Sequence, residues 1–215
     1  MNNPRSWLVQ NEPAFLAFHK PAGVLCQGSD PETTNLADLV AKVYGKKAHL
    51  LNRLDRPVQG LVLFSKSKAF TVAYQAAQQA GRVKKTYLAL VEGMIEEDGH
   101  CEHLLVHDKK RHKAFITEDA SLGRKVRLEY KLIKRLDNYT ALKISLHSGK
   151  FHQIRAQLAE MGHPIKGDVK YGARRKNKDR SIYLCAKGLN ISNVMGQNIN
   201  IETSPSEDPL WNLVE

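Results

Sequence analysis

The 215-residue sequence has few cysteines, no apolar run of membrane-spanning length and no low-complexity linker. Its three cysteines, Cys26, Cys101 and Cys185, are an odd number at wide spacing, which favours reduced thiols over a disulfide framework. Residues 1–20 lack the apolar core of a signal peptide, and no stretch approaches the roughly 20 apolar residues of a membrane span. We therefore expect a cytoplasmic protein that does not bind a membrane.

Acidic residues are also scarce relative to basic ones. Lys and Arg total 33 against 22 for Asp and Glu, which gives a net charge of +11 and a pI near 9.6. This charge favours a polyanionic partner, with nucleic acid first, although many basic proteins bind no RNA. Hydrophobic residues at 42% and charged residues at 26% are ordinary globular usage, so we expect one domain or two closely packed lobes.

Local patterns predict both helices and strands. Helices are predicted at 34–44, at 68–80 with Ser67 as N-cap and Gly81 as terminator, and at 151–161, where the pattern is amphipathic. Strands are predicted at 15–18, 61–64, 86–91 and 181–186, with shorter polar strands between 99 and 118. Alternating residues at 126–133 and 139–146 flank Asp137-Asn138, which predicts an antiparallel hairpin.

A single acidic residue stands out because of its neighbours. Asp55 lies between Arg53 and Arg56, in a segment just before an apolar strand. A nearby guanidinium favours the ionised carboxylate, which keeps it available as a nucleophile or base. Taken alone, such a segment is more often a surface ion-pair turn.

Five segments together resemble the RluA-like family of pseudouridine synthases. They occur in the family's order and span nearly the whole chain: Lys20-Pro-Ala-Gly-Val24, Arg53-Leu-Asp55 with Gly60-Leu-Val-Leu-Phe-Ser-Lys66, Lys85-Thr-Tyr-Leu-Ala-Leu-Val-Glu-Gly93, Ser148-Gly-Lys-Phe-His-Gln-Ile-Arg155, and Gly162-His-Pro-Ile-Lys-Gly-Asp-Val-Lys-Tyr-Gly172. The last two are the most specific.

The resemblance implies an α/β (α+β) pseudouridine synthase fold, with a mixed, mostly antiparallel central sheet, flanking helices and an active-site cleft. It implies isomerisation of specific uridines in structured rRNA or tRNA, without a cofactor or metal. Asp55 would be the catalytic carboxylate, either as nucleophile or as the group that stabilises glycosidic cleavage. Tyr87 would pack on the flipped uracil and assist loss of the C5 proton, and Arg155 would pair with Asp55 and place the nucleotide.

Further basic and polar residues are candidates for RNA binding: Arg53, Arg56, Lys150, His152, Gln153, Lys166, Lys170, Arg174 and Arg175. A solvated basic face remains the alternative for the cations, and a polar helix start for His152 and Gln153. The alternative role for Arg155 is a structural ion pair, and the two roles are compatible. Cys101, His103, His107 and His112 match no standard zinc spacing, so no metal site is predicted.

The sequence departs from the family pattern at several positions. Asn52, Val58 and Gln59 replace a frequent His and a Thr-Ser pair, Ser148 and Lys150 replace Thr and Arg, and Leu184-Cys-Ala186 replaces Leu-His-Ala. The first three departures predict altered hydrogen bonding in the Asp55 loop, and none of the departures removes the acid.

We expect an N-terminal arm at 1–12 and one catalytic domain at 13–215, which acts as a monomer with RNA as its partner and no required protein partner. A catalytically silent RNA-binding protein or RNA chaperone on the same scaffold is the alternative. A carboxylate-based hydrolase would need a second acid, and Asp168, the one candidate, has the sequence setting of a structural turn.

Overall fold

The computed structural model describes residues 4–28, 33–45, 48–146 and 149–214. The chain divides into two compact units. Unit one comprises Met1–Lys85 and Cys185–Asn212, and unit two comprises Thr86–Leu184 and Leu213–Glu215. Ser148, the first residue of one family-like segment, lies outside the described residues.

The elements follow one another in chain order, with a 3-10 helix at Pro4–Trp7 before the first strand and another at Val169–Tyr171 after the last α-helix. They are β1 (Leu8–Asn11), β2 (Phe15–Lys20), α1 (Leu36–Tyr44), β3 (His49–Leu50), β4 (Gln59–Ser65), α2 (Lys68–Gln79), β5 (Val83–Glu92), β6 (Gly99–Asp108), β7 (Lys113–Thr117), β8 (Arg124–Arg135), β9 (Tyr139–Leu146), α3 (Gln153–Glu160), β10 (Leu184–Val194) and β11 (Gln197–Glu202).

In unit one the strands pair in the order β1-β2-β4-β10, with β3 also on β4 and β11 also on β10. The β4–β10 pair is parallel and the neighbouring pairs are antiparallel, so the sheet is mixed as predicted. Every residue of β4 is buried, which explains its continuous apolar run. Phe70 of α2 stacks on Phe15 of β2 with ring centroids 5.4 Å apart, and this contact anchors the helix to the sheet.

The predicted start and end of α2 are confirmed. The Ser67 hydroxyl accepts a hydrogen bond from the Phe70 amide at 3.2 Å, as an N-cap should. Gly81 follows the helix with φ at +67°, a conformation that favours glycine. Local capping residues therefore set the limits of this helix.

In unit two the strands pair in the order β5-β9-β8-β6-β7. The predicted hairpin is confirmed as β8 and β9, which pair antiparallel, and β6 pairs antiparallel with both β7 and β8. The α3 helix contributes to a small core with these strands through Ala156, which clusters with Leu105, Ala114, Val126 and Tyr171. This packing fixes the segment that carries Arg155.

Two local predictions were wrong in detail, and the N-terminal segment holds a strand. The α3 helix is not amphipathic, because Gln153–Leu158 are all buried, including Gln153, Arg155 and Gln157. The predicted strand at 181–186 begins instead at Leu184 and continues to Val194, where a further strand, β11, pairs with it. The predicted N-terminal arm contains β1, which pairs with β2.

Within the described ranges, no helix is both long and apolar enough to cross a membrane.

Candidate active site

Asp55 is half-buried in the loop that joins β3 to β4. The start of this loop is fixed by Asn52, whose side-chain amide donates to the Leu61 carbonyl at 3.1 Å and accepts from the Leu63 amide at 2.8 Å. The departure from the family's usual histidine is therefore accommodated: the asparagine bridges two backbone groups of β4. Its two bonds hold the loop against the strand that follows it.

The end of the loop is fixed by close packing. Gly60 has φ at +118°, and a Cβ atom there would lie 2.4 Å from the carbonyl oxygen of Ala186 in β10. Only glycine fits such a close approach of two backbones. Gln59 accepts a hydrogen bond from the Ser206 amide at 2.8 Å, and Val58 is buried, so these two departures serve packing.

The loop is also tied to the turn that follows β2. The Gly23 amide donates to the Arg56 carbonyl at 2.7 Å, and the Arg56 Nε donates to the Gly23 carbonyl at 2.9 Å. Arg56 therefore holds the turn in addition to any role in RNA binding. Arg53 is exposed on the other side of Asp55 in the sequence, as expected for a phosphate contact.

Lys20 is fully buried beside this loop, with a side chain that is 0% exposed. Its Nζ donates to the carbonyls of Pro21 at 2.9 Å, Val24 at 2.8 Å and Arg56 at 3.4 Å. Burial lowers the pKa of Lys20 to about 8, and its interactions with Cys26 and Asp55 oppose that shift. Lys20 thus links the turn at residues 21–24 to the Asp55 loop.

Cys26 forms a second link between these segments. Its Sγ accepts from the Leu54 amide at 3.2 Å and donates to the Leu54 carbonyl at 3.4 Å. Burial raises the pKa of the Cys26 thiol, which keeps it protonated and able to donate. The residue before Asp55 is therefore held on both of its backbone groups.

In unit two, Tyr87 lies in β5 and is 8% exposed. Arg155 lies in α3 and forms a bidentate ion pair with Asp168, with Nε to Oδ2 at 2.7 Å and Nη2 to Oδ1 at 2.8 Å. Both side chains are almost fully buried, and paired forks of this kind are the strongest ion-pair geometry. The structural ion pair considered for Arg155 is thus observed. Asp168 lies in a turn, as predicted, but its carboxylate also orients Arg155.

His152 precedes α3 in the left-handed region, with φ at +53°, and its side chain does not cap the helix. Its Nδ1 lies 2.8 Å from the Tyr171 hydroxyl, and its ring stacks on Phe151 with centroids 3.8 Å apart. Burial, with smaller contributions from Arg155, Lys170 and His107, lowers the pKa of His152 to about 3. The imidazole is therefore neutral at physiological pH.

Gln153 uses its buried amide within the protein. Its Nε2 donates to the Arg127 carbonyl at 3.1 Å and to Gln157 at 3.0 Å, and its Oε1 accepts from the Lys150 amide at 3.2 Å. These contacts match the alternative of a polar helix start. RNA binding by Gln153 stays a prediction.

The remaining RNA-binding candidates differ in exposure. Lys150, Lys170, Arg174 and Arg175 are exposed. Lys166 is half-buried, where its Nζ donates to Asn177 at 3.0 Å and lies 4.4 Å from the ring centroid of Tyr183. Lys166 thus stabilises its own segment, whereas the other four side chains are exposed to solvent.

The predicted residues are divided between the units. Asp55, Arg53 and Arg56 belong to unit one, and the other predicted site residues belong to unit two. Inside unit two the structure brings Arg155 and His152 to one side chain, Tyr171. The convergence of Asp55 with Tyr87 and Arg155 stays a prediction.

No site role was predicted from the sequence for Lys20, Asp168 or Tyr171. All three stand inside the family-like segments, and a lysine after the apolar run 15–18 was the available signal for a buried cation. In the described part of the chain, no group of three or more His, Cys, Asp or Glu side chains could hold a metal ion.

Known relatives are similar over most of the chain. It is 28% identical over 173 residues to ribosomal large subunit pseudouridine synthase D of Haemophilus ducreyi, covering 78% of this chain and 50% of that protein. It is 30% identical over 185 residues to tRNA pseudouridine synthase C of Vibrio vulnificus, covering 80% and 76%. The chain thus spans about half the length of the first of these relatives.

A solved structure, the human RNA pseudouridylate synthase domain containing 1, superposes with a TM-score of 0.79 at 21% identity, covering 97% of this chain and 85% of the other. This likeness confirms the predicted fold class. The family model described as RNA pseudouridylate synthase matches residues 14–160. The chain therefore belongs to the RNA pseudouridylate synthase family, as its motifs predicted.

Proposed function

We propose that this protein is an RNA pseudouridine synthase that isomerises specific uridines in structured RNA, with Asp55 as its catalytic carboxylate. The observation that carries the proposal is the family match together with an Asp55 loop that is held at its start, end and centre. Asn52 and Gly60 fix its ends to β4 and β10, and Leu54 is held by Cys26. Such support is what a precisely placed catalytic group needs.

The reaction is an isomerisation, so substrate and product have the same atoms. The bond from N1 of uracil to C1′ of the ribose breaks, the uracil turns, and a new bond joins C5 to C1′. The proton on C5 is lost and N1 gains one. Asp55 acts at C1′, as a nucleophile or as the charge that stabilises the cleaved sugar, and neither role needs a metal.

Tyr87 and Arg155 act on the same nucleotide in this proposal. A phenol offers a flat face for the flipped uracil and a hydroxyl that can assist removal of the C5 proton. The guanidinium of Arg155 helps to place the nucleotide and to keep Asp55 ionised. Flipping the base costs about a few kcal/mol of stacking, which basic contacts to the RNA backbone offset.

The substrate class follows from the relatives' names, which divide between ribosomal large-subunit RNA and tRNA. The exposed cations Lys150, Lys170, Arg174 and Arg175 are proposed to bind RNA phosphates, which suits the net charge of +11. We further propose that residues 13–215 act as one catalytic domain, as a monomer, in the cytoplasm.

The decisive experiment maps pseudouridine in total tRNA and rRNA by carbodiimide treatment and primer extension. Cells of the source organism are compared with wild-type protein, no protein, Asp55→Asn and Asp137→Asn, the last an exposed turn acid that serves as the matched control. We expect a stop that is present with wild type and Asp137→Asn, and absent with no protein and Asp55→Asn.

A transcript that carries the mapped uridine then serves as a defined substrate. With tritium at C5 of uridine, release of label reports the reaction directly, and Asp55→Asn should reduce it to background. RNA binding by the wild type with no stop and no tritium release would overturn catalysis and favour a binding protein on the same scaffold.

A further inference from the structure

Tyr171 contacts two elements of unit two, β7 and α3 with the residue before it, although only 7% of it is exposed. Its hydroxyl lies 2.8 Å from His152 Nδ1, just before α3, and 2.9 and 3.0 Å from the amide nitrogen and carbonyl oxygen of Ala114 in β7. Its ring faces the guanidinium of Arg155, with Cζ 4.9 Å from the centroid.

The protons of this cluster can be assigned from the hydrogen bonds. A hydroxyl donates once, and here it can donate either to the Ala114 carbonyl or to His152 Nδ1. If it donated to histidine, the Ala114 carbonyl, on a residue that is 0% exposed, would lose this donor. Donation to Ala114 keeps that bond, and the neutral His152 then carries its proton on Nδ1 and donates it to Tyr171.

The Tyr171 hydroxyl therefore acts in place of a neighbouring strand beside β7 and of a capping side chain at the start of α3. Ala114 lies in β7, the last strand in the order of unit two, and its backbone groups bond to the hydroxyl. His152 precedes α3 without capping it and holds a left-handed φ of +53°, which a non-glycine residue keeps only where its surroundings enforce it. The hydroxyl of Tyr171 holds both segments.

Asp168 complements the tyrosine from the same turn. The Tyr171 amide donates to the Asp168 carbonyl at 2.9 Å, so the two side chains project from the same short 3-10 turn. The Asp168 carboxylate fixes the direction of the Arg155 guanidinium through two hydrogen bonds, and the Tyr171 ring supports one face of it. Asp168 thus sets the direction in which the guanidinium points, and the Tyr171 ring packs against its face.

We propose that Tyr171 is a positioning residue for Arg155: its ring supports the guanidinium, and its hydroxyl fixes the start of α3 by holding His152 as the Nδ1-protonated tautomer. This inference rests on the role proposed for Arg155 above. Tyr171 itself is not assigned any contact with the reacting atoms.

The test combines two measurements on the full-length protein. The first is long-range proton–nitrogen NMR on protein with 15N-labelled histidine, in which the His152 signals are identified by their loss in His152→Gln. We expect the wild type at pH 7 to show a neutral ring protonated on Nδ1. Tyr171→Phe should move His152 toward the Nε2-protonated form, whereas Tyr74→Phe, which removes a buried hydroxyl from α2, should leave it unchanged.

The second measurement is steady-state kinetics on the transcript that carries the mapped uridine. We expect Tyr171→Phe to lower kcat about tenfold with KM changed by less than about twofold, since small misplacements of a positioned group reduce the rate of the chemical step. Tyr74→Phe should match the wild type in both constants. Unfolding curves establish that each variant is folded.

The two measurements separate the failure of this inference from failure of the proposed function. A wild-type His152 protonated on Nε2 overturns the inference without reference to activity, even if the Tyr171 variant fails to fold. An unchanged kcat for folded Tyr171→Phe also overturns it. If the wild type has the expected tautomer but isomerises no uridine, the proposed function fails while the assigned hydrogen bonds stand.

Discussion

Each unit of the protein buries a cationic side chain, and the two units stabilise that charge differently. Lys20 of unit one is surrounded by the neutral carbonyls of Pro21, Val24 and Arg56. Arg155 of unit two is paired with the buried carboxylate of Asp168. A lysine held by dipoles can lose its proton at mildly alkaline pH, whereas an arginine held by a counter-charge cannot.

Two buried tyrosines show the same contrast. In unit two the Tyr171 hydroxyl has histidine and backbone partners. In unit one the Tyr74 hydroxyl is buried in the apolar core and has no hydrogen-bond partner among the described residues, and burial raises its pKa to about 12. The buried hydroxyl of Tyr171 thus has specific partners, whereas that of Tyr74 has none among the described residues.

This difference indicates which charges near the candidate site change with pH. The charge of Lys20, near the Asp55 loop, responds to alkaline pH because its folded-state pKa is about 8. The charge of Arg155 stays fixed, and its direction depends on Asp168. Three changes test this contrast, from the largest expected effect to the smallest.

The largest effect is expected from Asp168→Asn. The change removes the buried carboxylate that binds Nε and Nη2 of Arg155, which should lower the free energy of unfolding by about 3–5 kcal/mol. Urea unfolding at pH 7 measures this, with Asp137→Asn in an exposed turn as the matched control that should lose almost nothing. If the free energy of unfolding fell no more than in the control, Arg155 would not need the Asp168 carboxylate. The proposed difference between the two buried cations would then be wrong.

A smaller effect is expected from pH and Lys20. The folded-state pKa of about 8 lies below the ordinary value of 10.5, so the unfolded chain binds more protons between these two values. The cost of burying the ammonium is therefore fully present below pH 8 and disappears as pH rises to 10.5. Relative to Lys20→Met, the wild type should gain on the order of 3 kcal/mol in free energy of unfolding across this window, at about 1.4 kcal/mol for each pKa unit.

Urea unfolding of both proteins at several pH values between 7 and 10.5 measures the gain, because shared titrations cancel in the difference between them. Parallel stability curves would show that Lys20 keeps an ordinary pKa and that its three carbonyls solvate the ammonium as well as water does.

The sequence predicted those elements whose signals are local. Ser67 and Gly81 mark the ends of α2 by their own chemistry, and Asp137-Asn138 marks the turn between β8 and β9. The second strand of the C-terminal hairpin, Gln197–Glu202, was not predicted because it is mostly polar and is held as a strand by pairing with β10. Its register depends on a partner strand rather than on its own pattern.

The candidate site was predictable in its motif residues and not in its supporting contacts. Periodicity gave the position of α3 but not its burial, because Gln153 and Gln157 are satisfied by the distant Arg127 and Cys101 carbonyls. Asp168 had only the sequence of a turn, since its bonds to Arg155 depend on the folded path of the chain. Hydrogen-bond partners that are distant in the sequence therefore could not be predicted from local sequence patterns.

The smallest effect, and one of opposite sign, is expected from Tyr74→Phe. A buried hydroxyl without a partner loses its bonds to water on folding and gains nothing in return, so its removal should not lower the free energy of unfolding and should raise it by about 1 kcal/mol or less. The matched change Tyr171→Phe removes a bonded hydroxyl and should lower the same free energy by about 1–3 kcal/mol. Urea unfolding of both variants against the wild type gives the two signs directly. Equal losses would show that the Tyr74 hydroxyl is as well bonded as that of Tyr171, through an ordered buried water, and the contrast would then be limited to the two cations.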